Sequence, residues 1–310
     1  MNSVENSGLS VIVPAFNEAE GIGAVIERIK AVMGSGLSMD FEIVVVDDGS
    51  TDETGKMAEE AGGVTVIRHE QNRGYGAALK TGISHARHSL VCITDADGTY
   101  PVERIPDLVK RMNETGCDMV VGARTGDDVN IPFARRPAKW VISKLACFVS
   151  GVSIPDLNSG LRVFGRDTCL RFYGILPDGF SFTTTITLAM LQSGYLVRYV
   201  PIDYARRVGT SKIRPVRDVL WFLHLVLSMA LYFAPLKVFL PLSILIMLFG
   251  VCWGFTSYWF LGELADTSTL VVLMTAVQVA MLGMLAELIN RRVPNVYRAK
   301  EGYLGSDPGG

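Results

Sequence analysis

The stretch LVCITDADG, Leu90 to Gly98, decides how the rest of the chain is read. Leu90 to Thr94 is an apolar and β-branched run, as expected of a strand buried on both faces of a parallel sheet. Two carboxylates one residue apart, Asp95 and Asp97, then leave that strand and enter a loop. Aspartates often cap the helix after a strand, so a lone pair of this kind is weak evidence. Open α/β sheets, however, bind ligands beyond the carboxyl ends of their strands. At that place two carboxylates can share one divalent cation with a diphosphate, because hard cations choose oxygen ligands.

Outward from this strand the pattern repeats. Leu9 to Pro14, Phe41 to Val46, Val64 to Ile67 and Met119 to Val121 are further short apolar runs. Between them Ile22, Val25, Ile26, Ile29 and Val32 share one helical face. Ala77, Ala78, Ile83 and Ala86 do the same, and so do Leu108, Val109 and Met112. Strands alternating with helices over residues 9 to 122 predict an α/β fold, Rossmann-like, with a mostly parallel sheet and helices on both faces. Acid-bearing turns follow the first two strands as well. VDDGSTD places Asp47 and Asp48 where they can accept hydrogen bonds from a base or from sugar hydroxyls, while Ser50, Thr51 or Asp52 caps the next helix. PAFNE offers Asn17 as a helix cap and Glu18 as a first-turn acid. Gly74-Tyr75-Gly76 opens a helix after a strand, but Leu79 stands where a dinucleotide fingerprint has its third glycine. Asn72 and Gly74 are therefore read as a tight turn, with Arg73 and Lys80 as candidate phosphate contacts.

Composition narrows the class. The chain has 310 residues, 49% hydrophobic and 19% charged, with a net charge of −2, so no bulk basic character points to nucleic acid. Its five cysteines form no CxxC pair and read as apolar fillers in a reducing compartment. No cleavable signal peptide is expected. The hydrophobic excess collects after Val216, and residues 238 to 262 and 267 to 286 carry no charge. Each of these is long enough to cross a hydrocarbon core of about 30 Å. Arg206, Arg207, Lys212, Arg214 and Arg217 precede them, and Arg291, Arg292, Arg298 and Lys300 follow, while the loop between carries only Glu263 and Asp266. Two spans put both basic clusters on the cytoplasmic side.

The expected organisation is a cytoplasmic catalytic domain over residues 1–213 and an interfacial juxtamembrane helix over 214–235, with Trp221, His224 and Tyr232 at headgroup level. Two transmembrane helices follow within 236–290, at about 238–262 and 267–287, and residues 291–310 form a cytoplasmic tail. This describes a multi-pass protein of the cytoplasmic (inner) membrane, with the lipid bilayer as a partner. A third span over 219–236 is the alternative. Neither long stretch is read as having a GxxxG face, so a homo-oligomer is left open.

VIVPAFNE, VVDDGSTDET, NRGYGAALKTG and DADGTYP occur in this order and spacing. As a set they resemble the family 2 glycosyltransferases of GT-A fold, most closely the dolichyl-phosphate mannosyltransferase and polyprenyl-phosphate glycosyltransferase branch, over residues 9 to 215. The resemblance implies inverting transfer of a hexose-type sugar from a UDP- or GDP-linked nucleotide sugar to an undecaprenyl or dolichyl phosphate. It implies donor binding by Pro14, Ala15, Glu18, Asp47, Asp48, Asp95, Ala96 and Asp97, with Mg²⁺ or Mn²⁺ held on Asp95 and Asp97. Thr99 stands where some members carry a glutamine that helps the metal, and is left out of that shell. VGAR resembles the family's GSR-type turn and puts Arg124 at an acceptor or donor phosphate. Arg135 and Arg136 resemble a basic pair that meets the lipid phosphate. DLNSGLR, Asp156 to Arg162, resembles the DLTSGFR stretch that closes the acceptor side, with Asp156 orienting the acceptor or an arginine. RRVGTSK resembles the RxxGxSK segment over the donor diphosphate, which assigns Arg207, Ser211 and Lys212.

A lipid phosphate is already an anion near neutral pH, so a transfer to it needs no general base. Asp95, Asp97, Arg124 and Asp156 are then the residues expected to carry catalysis, by positioning and charge stabilisation. His69, His85 and His88 are expected on helices or loops away from the strand ends. Three rivals stand beside this reading. A processive polysaccharide synthase is disfavoured by the lack of a QxxRW motif. Transfer to a lipid hydroxyl, of diacylglycerol or ceramide type, needs a catalytic acid or histidine near the acceptor. An inactive membrane scaffold is disfavoured by the retained Asp95, Asp97 and Lys212.

Overall fold

The computed structural model describes residues 8–36, 39–125, 147–148, 151–204, 227–228, 230–232, 234–261 and 266–292. They fall in two compact units, one built on a sheet and one on two long helices.

The first unit holds strands β1 (Leu9–Ala15), β2 (Phe41–Asp47), β3 (Thr65–Arg68), β4 (Leu90–Ile93), β5 (Met119–Arg124), β6 (Arg162–Gly165) and β7 (Val197–Ile202). Its helices are α1 (Ile22–Gly36), α2 (Thr54–Ala61), α3 (Tyr75–His85), α4 (Ile105–Thr115), α5 (Arg166–Arg171) and α6 (Phe182–Gln192). The strands lie in the order β3-β2-β1-β4-β6-β5-β7. The pairs β1–β2, β1–β4, β2–β3 and β5–β7 are parallel, and β6 runs antiparallel between β4 and β5. Every residue of β1 and β4 is buried, which is why both read as unbroken apolar runs. Ile22, Val25, Ile26, Ile29 and Met33 of α1 pack on this sheet, as do Leu108 and Val109 of α4. Helix α3 lies against β1 at Gly82, where a Cβ would stand 2.4 Å from Ile12 Cγ2.

The sequence reading foresaw β1 to β5 and missed β6 and β7. The strand β6 opens on a charged residue, Arg162, yet that residue is fully buried. The strand β7 contains Pro201 and is an edge strand, the one place in a sheet where proline costs no ladder hydrogen bond.

The amino end of the sheet is fastened by one buried carboxylate. Glu42 accepts from Ser10 Oγ and Arg87 N, both at 2.6 Å, and from Arg87 Nε at 2.7 Å.

The second unit holds α7 (Leu236–Leu261) and α8 (Asp266–Arg292). Arg291 and Arg292, read as the start of the tail, are the last residues of α8. The stretches Leu236–Phe260 and Thr267–Asn290 have mean hydropathies of 2.3 and 2.1 and are only 17% and 11% buried. Helices this apolar and this open are unlike the core helix of a soluble protein, and both are long enough to cross a membrane. Contrary to the sequence reading, α7 does carry a GxxxG pair, Gly250 and Gly254, and it faces α8. A Cβ on Gly250 would lie 2.9 Å from Val272 Cγ1, and one on Gly254 3.0 Å from Thr269 Cγ2. Trp253 Nε1 also donates to Ser268 Oγ at 3.1 Å. Most of the expected interfacial helix, Trp221 and His224 included, lies outside the described residues.

Burial pushes the Glu42 carboxyl up, but the Ser10 and Arg87 hydrogen bonds outweigh it and hold it below its ordinary value of 4.5. A depressed carboxylate stabilises the fold above the unfolded value, and that contribution is lost as pH falls through the folded one. Glu42→Ala is therefore expected to cost about 2–3 kcal/mol near neutral pH, the range for hydrogen bonds to a charged group. In denaturant unfolding of the detergent-solubilised protein, the gap to the parent closes as pH drops below 4.5.

Candidate active site

All parallel strands end at one edge of the sheet, and β6, being antiparallel, begins there. The loops after β1, β2, β3, β4, β5 and β7 and the loop before β6 therefore converge on that edge. Asp95 and Asp97 lie two and four residues past the end of β4.

The loops after β1 and β2 interlock. Asn17 N donates to Ser50 Oγ at 3.0 Å, and Thr51 N donates to Asn17 Oδ1 at 2.9 Å. Glu18 N donates to Thr54 Oγ1 at 2.8 Å, and Asp52 accepts from Ala19 N at 3.3 Å and Thr54 N at 3.0 Å. Asn17 adopts φ 55°, away from the extended conformation typical of an N-cap, and α1 starts only at Ile22. The expectation of a cap at Asn17 gives way to a loop clamp, because its amide is spent on the DDGS turn.

Asp47 and Asp48 divide their work. The buried Asp48 carboxylate accepts from Arg73 N at 3.0 Å, Gly74 N at 2.8 Å and His69 Nδ1 at 2.6 Å. It thus builds the turn into α3, where Gly74 takes φ 103°. His69 Nε2 meets Thr81 Oγ1 at 2.9 Å. His69 is the first residue past β3, which corrects the expectation that this histidine falls away from the strand ends. Asp47 accepts from Ser50 N at 3.0 Å and lines a cleft of about 440 Å³ with Gly49, Lys56, Arg68, His69 and Glu70 among its walls.

The acid pair is held by hydroxyls. Tyr75 Oη donates to Asp95 Oδ1 at 2.8 Å. Thr99, left out of the expected metal shell, reaches Asp97 Oδ1 with its N at 3.1 Å and its Oγ1 at 2.6 Å. On the far side Gly160 touches Asp95 so closely that a Cβ there would stand 2.8 Å from Oδ1. Gly160 N donates to Tyr100 Oη at 2.7 Å.

Arg124 and Asp156 form the second charged element. Asp156 Oδ2 accepts from Arg124 N at 3.0 Å and Nε at 2.7 Å, and Oδ1 accepts from Nη2 at 2.9 Å. Burial pushes the Asp156 carboxyl up, but the Arg124 hydrogen bonds and charge outweigh it and hold it below its ordinary value. The same pairing, against burial, raises the Arg124 guanidinium. Its Cζ lies 5.3 Å from the centre of the Tyr204 ring.

Arg162 completes the frame. Its Nε donates to Ser159 O at 3.1 Å and its Nη2 donates to the same oxygen. Its Nη1 donates to Thr183 O at 3.0 Å and Thr187 Oγ1 at 2.8 Å on α6. The loop that presses Gly160 on Asp95 is thus tied to a helix by a buried cation.

Sequence reasoning missed Tyr75, Thr99, Tyr100, Arg162 and Tyr204 as site residues, although each lies in or beside a quoted motif. Arg135, Arg136, Arg207, Ser211 and Lys212 lie outside the described residues. Asp95 and Asp97 supply a donor set suited to a hard cation. Among the described residues no three His, Cys, Asp or Glu converge on one point.

The fold is the GT-A fold of glycosyltransferases. A glucosyl-3-phosphoglycerate synthase from Mycobacterium tuberculosis, solved with Mn²⁺, uridine diphosphate and phosphoglyceric acid, matches with a TM-score of 0.55 at 22% identity, covering 73% of this chain and 78% of that one. The chain belongs to glycosyl transferase family 2, whose sequence profile matches residues 10–168, just over half of the 310. A second profile, the GtrB C-terminal hairpin, matches residues 234–291, the segment of α7 and α8, and marks the chain as membrane-associated. A dolichyl-phosphate hexose transferase of Haloferax volcanii is 31% identical over 208 residues, 67% of this chain and 87% of that one. A dodecaprenyl-phosphate galacturonate synthase of Rhizobium johnstonii is 28% identical over 304 residues, 93% of this chain and 89% of that one.

Gly160→Ala tests the contact with Asp95. The new methyl has to displace the carboxylate rather than backbone, so glycosyl transfer is expected to fall at least about tenfold, or ~1.4 kcal/mol. The melting temperature should move by no more than about 2 °C, since under 1 kcal/mol of folding energy is touched. Unchanged transfer would show that the close approach has no bearing on the acid pair.

Proposed function

We propose that this chain transfers a hexose-type sugar from a UDP- or GDP-sugar to a polyprenyl phosphate, with inversion, at the cytoplasmic face of the membrane. The observation that carries this is the pairing, in one chain, of the Asp95–Asp97 acid pair at the strand ends with two helices of membrane-spanning length. A soluble acceptor would leave the helices without a purpose; a lipid acceptor needs the protein at the bilayer. Full-length relatives named for polyprenyl-phosphate products support the same acceptor class.

The chemistry follows from the acceptor. An oxygen of the lipid phosphate forms a bond to the anomeric carbon as the bond from that carbon to the nucleoside diphosphate breaks, and the diphosphate leaves with the electron pair. A divalent cation, Mg²⁺ or Mn²⁺, would neutralise charge on the leaving diphosphate and would be held by Asp95 and Asp97. The interlocked Asn17, Glu18, Ser50 and Thr51 loops, with Pro14, Ala15, Asp47 and Ala96 beneath, form the floor for the nucleotide; Asp48 serves it by holding the turn into α3. Arg124, neutralised in part by Asp156, offers Nη1 outside that fork toward a phosphate. His69 spends both ring nitrogens on Asp48 and Thr81, which fits a nucleophile that needs no base. Arg135, Arg136, Arg207, Ser211 and Lys212 are assigned to the two phosphates on their motifs alone. Two spans with both termini cytoplasmic place the basic residues before α7 and after α8 on the side of the nucleotide sugar.

The test is transfer of radiolabelled sugar from UDP-glucose or GDP-mannose into the organic phase by the detergent-solubilised protein, with undecaprenyl phosphate and Mn²⁺. Label is expected with the phosphate lipid and is lost, at least about 100-fold, with EDTA or Asp97→Ala. Label entering diacylglycerol instead would establish a hydroxyl acceptor. No transfer from any of a panel of nucleotide sugars, together with no nucleotide binding, would overturn the enzyme assignment in favour of a scaffold.

A further inference from the structure

The Gly74-Tyr75-Gly76 segment has no dinucleotide to bind, yet the structure gives each of its residues a demanding place. Gly74 and Gly76 bring the start of α3 hard against residues 177–179. A Cβ on Gly74 would stand 2.5 Å from Asp178 O, and one on Gly76 2.2 Å from Pro177 O. Ala77 N donates to Asp178 O at 3.0 Å, and Lys80 Nζ meets Asp178 Oδ1 at 2.8 Å. Both contacts fix where α3 begins, and Tyr75, between the glycines, is aimed by them. Its hydroxyl donates to Asp95 Oδ1 at 2.8 Å. Its ring stacks on Phe180, with centroids 5.6 Å apart and planes 16° from parallel. Phe180 itself is 77% exposed, so burying its own surface does not explain its place; its contact is the ring of Tyr75.

The geometry points to Tyr75 as a positioning residue for Asp95: its hydroxyl sets the rotamer and loads one oxygen of the carboxylate that would hold the divalent cation. This rests on the metal reading given above. A carboxylate with two equivalent oxygens can rotate about its terminal bond and bind a cation through either or both. Pinning Oδ1 with a neutral donor removes that freedom and leaves Asp97, itself pinned by Thr99, to complete a fixed pair. The Phe180 stack limits the tilt of the ring and hence the direction of its hydroxyl proton.

Tyr75→Phe removes one hydroxyl and leaves the stack. Free Mn²⁺ followed by electron paramagnetic resonance, with the full chain in detergent and either UDP or GDP present, is expected to show a dissociation constant about three- to tenfold higher, toward the low end of outer-shell effects on metal affinity. The Mn²⁺ concentration for half-maximal transfer rises by the same factor, and most of the lost rate returns with added Mn²⁺. Phe180→Ala, which keeps the hydroxyl and frees the ring, shifts the same constant in the same direction by less. A lowered melting temperature with unchanged Mn²⁺ affinity would reduce Tyr75 to a packing residue and overturn the proposal. Failure of the parent protein to bind Mn²⁺ with either nucleotide would instead overturn the metal reading and this proposal with it.

Discussion

A guanidinium taken wholly out of water must have its N–H groups answered, and Arg162 shows what that demand organises. It cannot shed its charge as a buried lysine would. Its partners are therefore fixed in place: the carbonyl of Ser159 on one side, and Thr183 O and Thr187 Oγ1 of α6 on the other. Burial pulls the guanidinium down from its ordinary value, while the surrounding tyrosine hydroxyls and Asp156 favour the charge. Because Arg162 is also the first residue of β6, in register with Ile93 at the end of β4, the same side chain sets the antiparallel strand beside the acid pair. Gly160 can then meet Asp95 and Tyr100 at once. An uncharged residue at this position would fill the space without prescribing where the loop stops.

The parts of this arrangement that were legible in sequence are those where burial is uniform. Strands β1, β2 and β4 are covered on both faces and read as apolar runs; the acids after them read as ligands because they end such runs. Legibility fails where a polar group is buried for a tertiary reason. Arg162 hides β6, since a charge normally argues against a central strand. The mixed exposure of β7 and its Pro201 hide an edge strand. The strand β3 ends at Arg68, one residue beyond the apolar run Val64–Ile67, so His69 directly follows it. Asn17 looked like a cap because capping residues and loop clamps share a chemistry; only its φ of 55° separates them. Gly250 and Gly254 were lost in a uniformly apolar helix, where small residues matter for close approach and not for hydropathy.

The candidate site treats its three groups of charge differently, and the difference assigns their roles. Asp48 accepts from two backbone N–H groups and His69 inside the protein, so it shapes the turn into α3. Asp156 is satisfied by Arg124, whose Nε, Nη2 and backbone N–H all donate to it and make the two a nearly neutral pair. Asp95 accepts from the Tyr75 hydroxyl, and Asp97 accepts from the Thr99 N–H and hydroxyl, donors that orient a carboxylate. Two like charges two residues apart repel, and a cation held between them would relieve that repulsion. On the proposed function, a cation arriving with the donor diphosphate would be held by this pair for as long as the donor is bound. On the proposed function the acid pair is the element that meets the ligand, while the interlocked loops, the Asp48 turn and the Arg124–Asp156 pair hold it in shape.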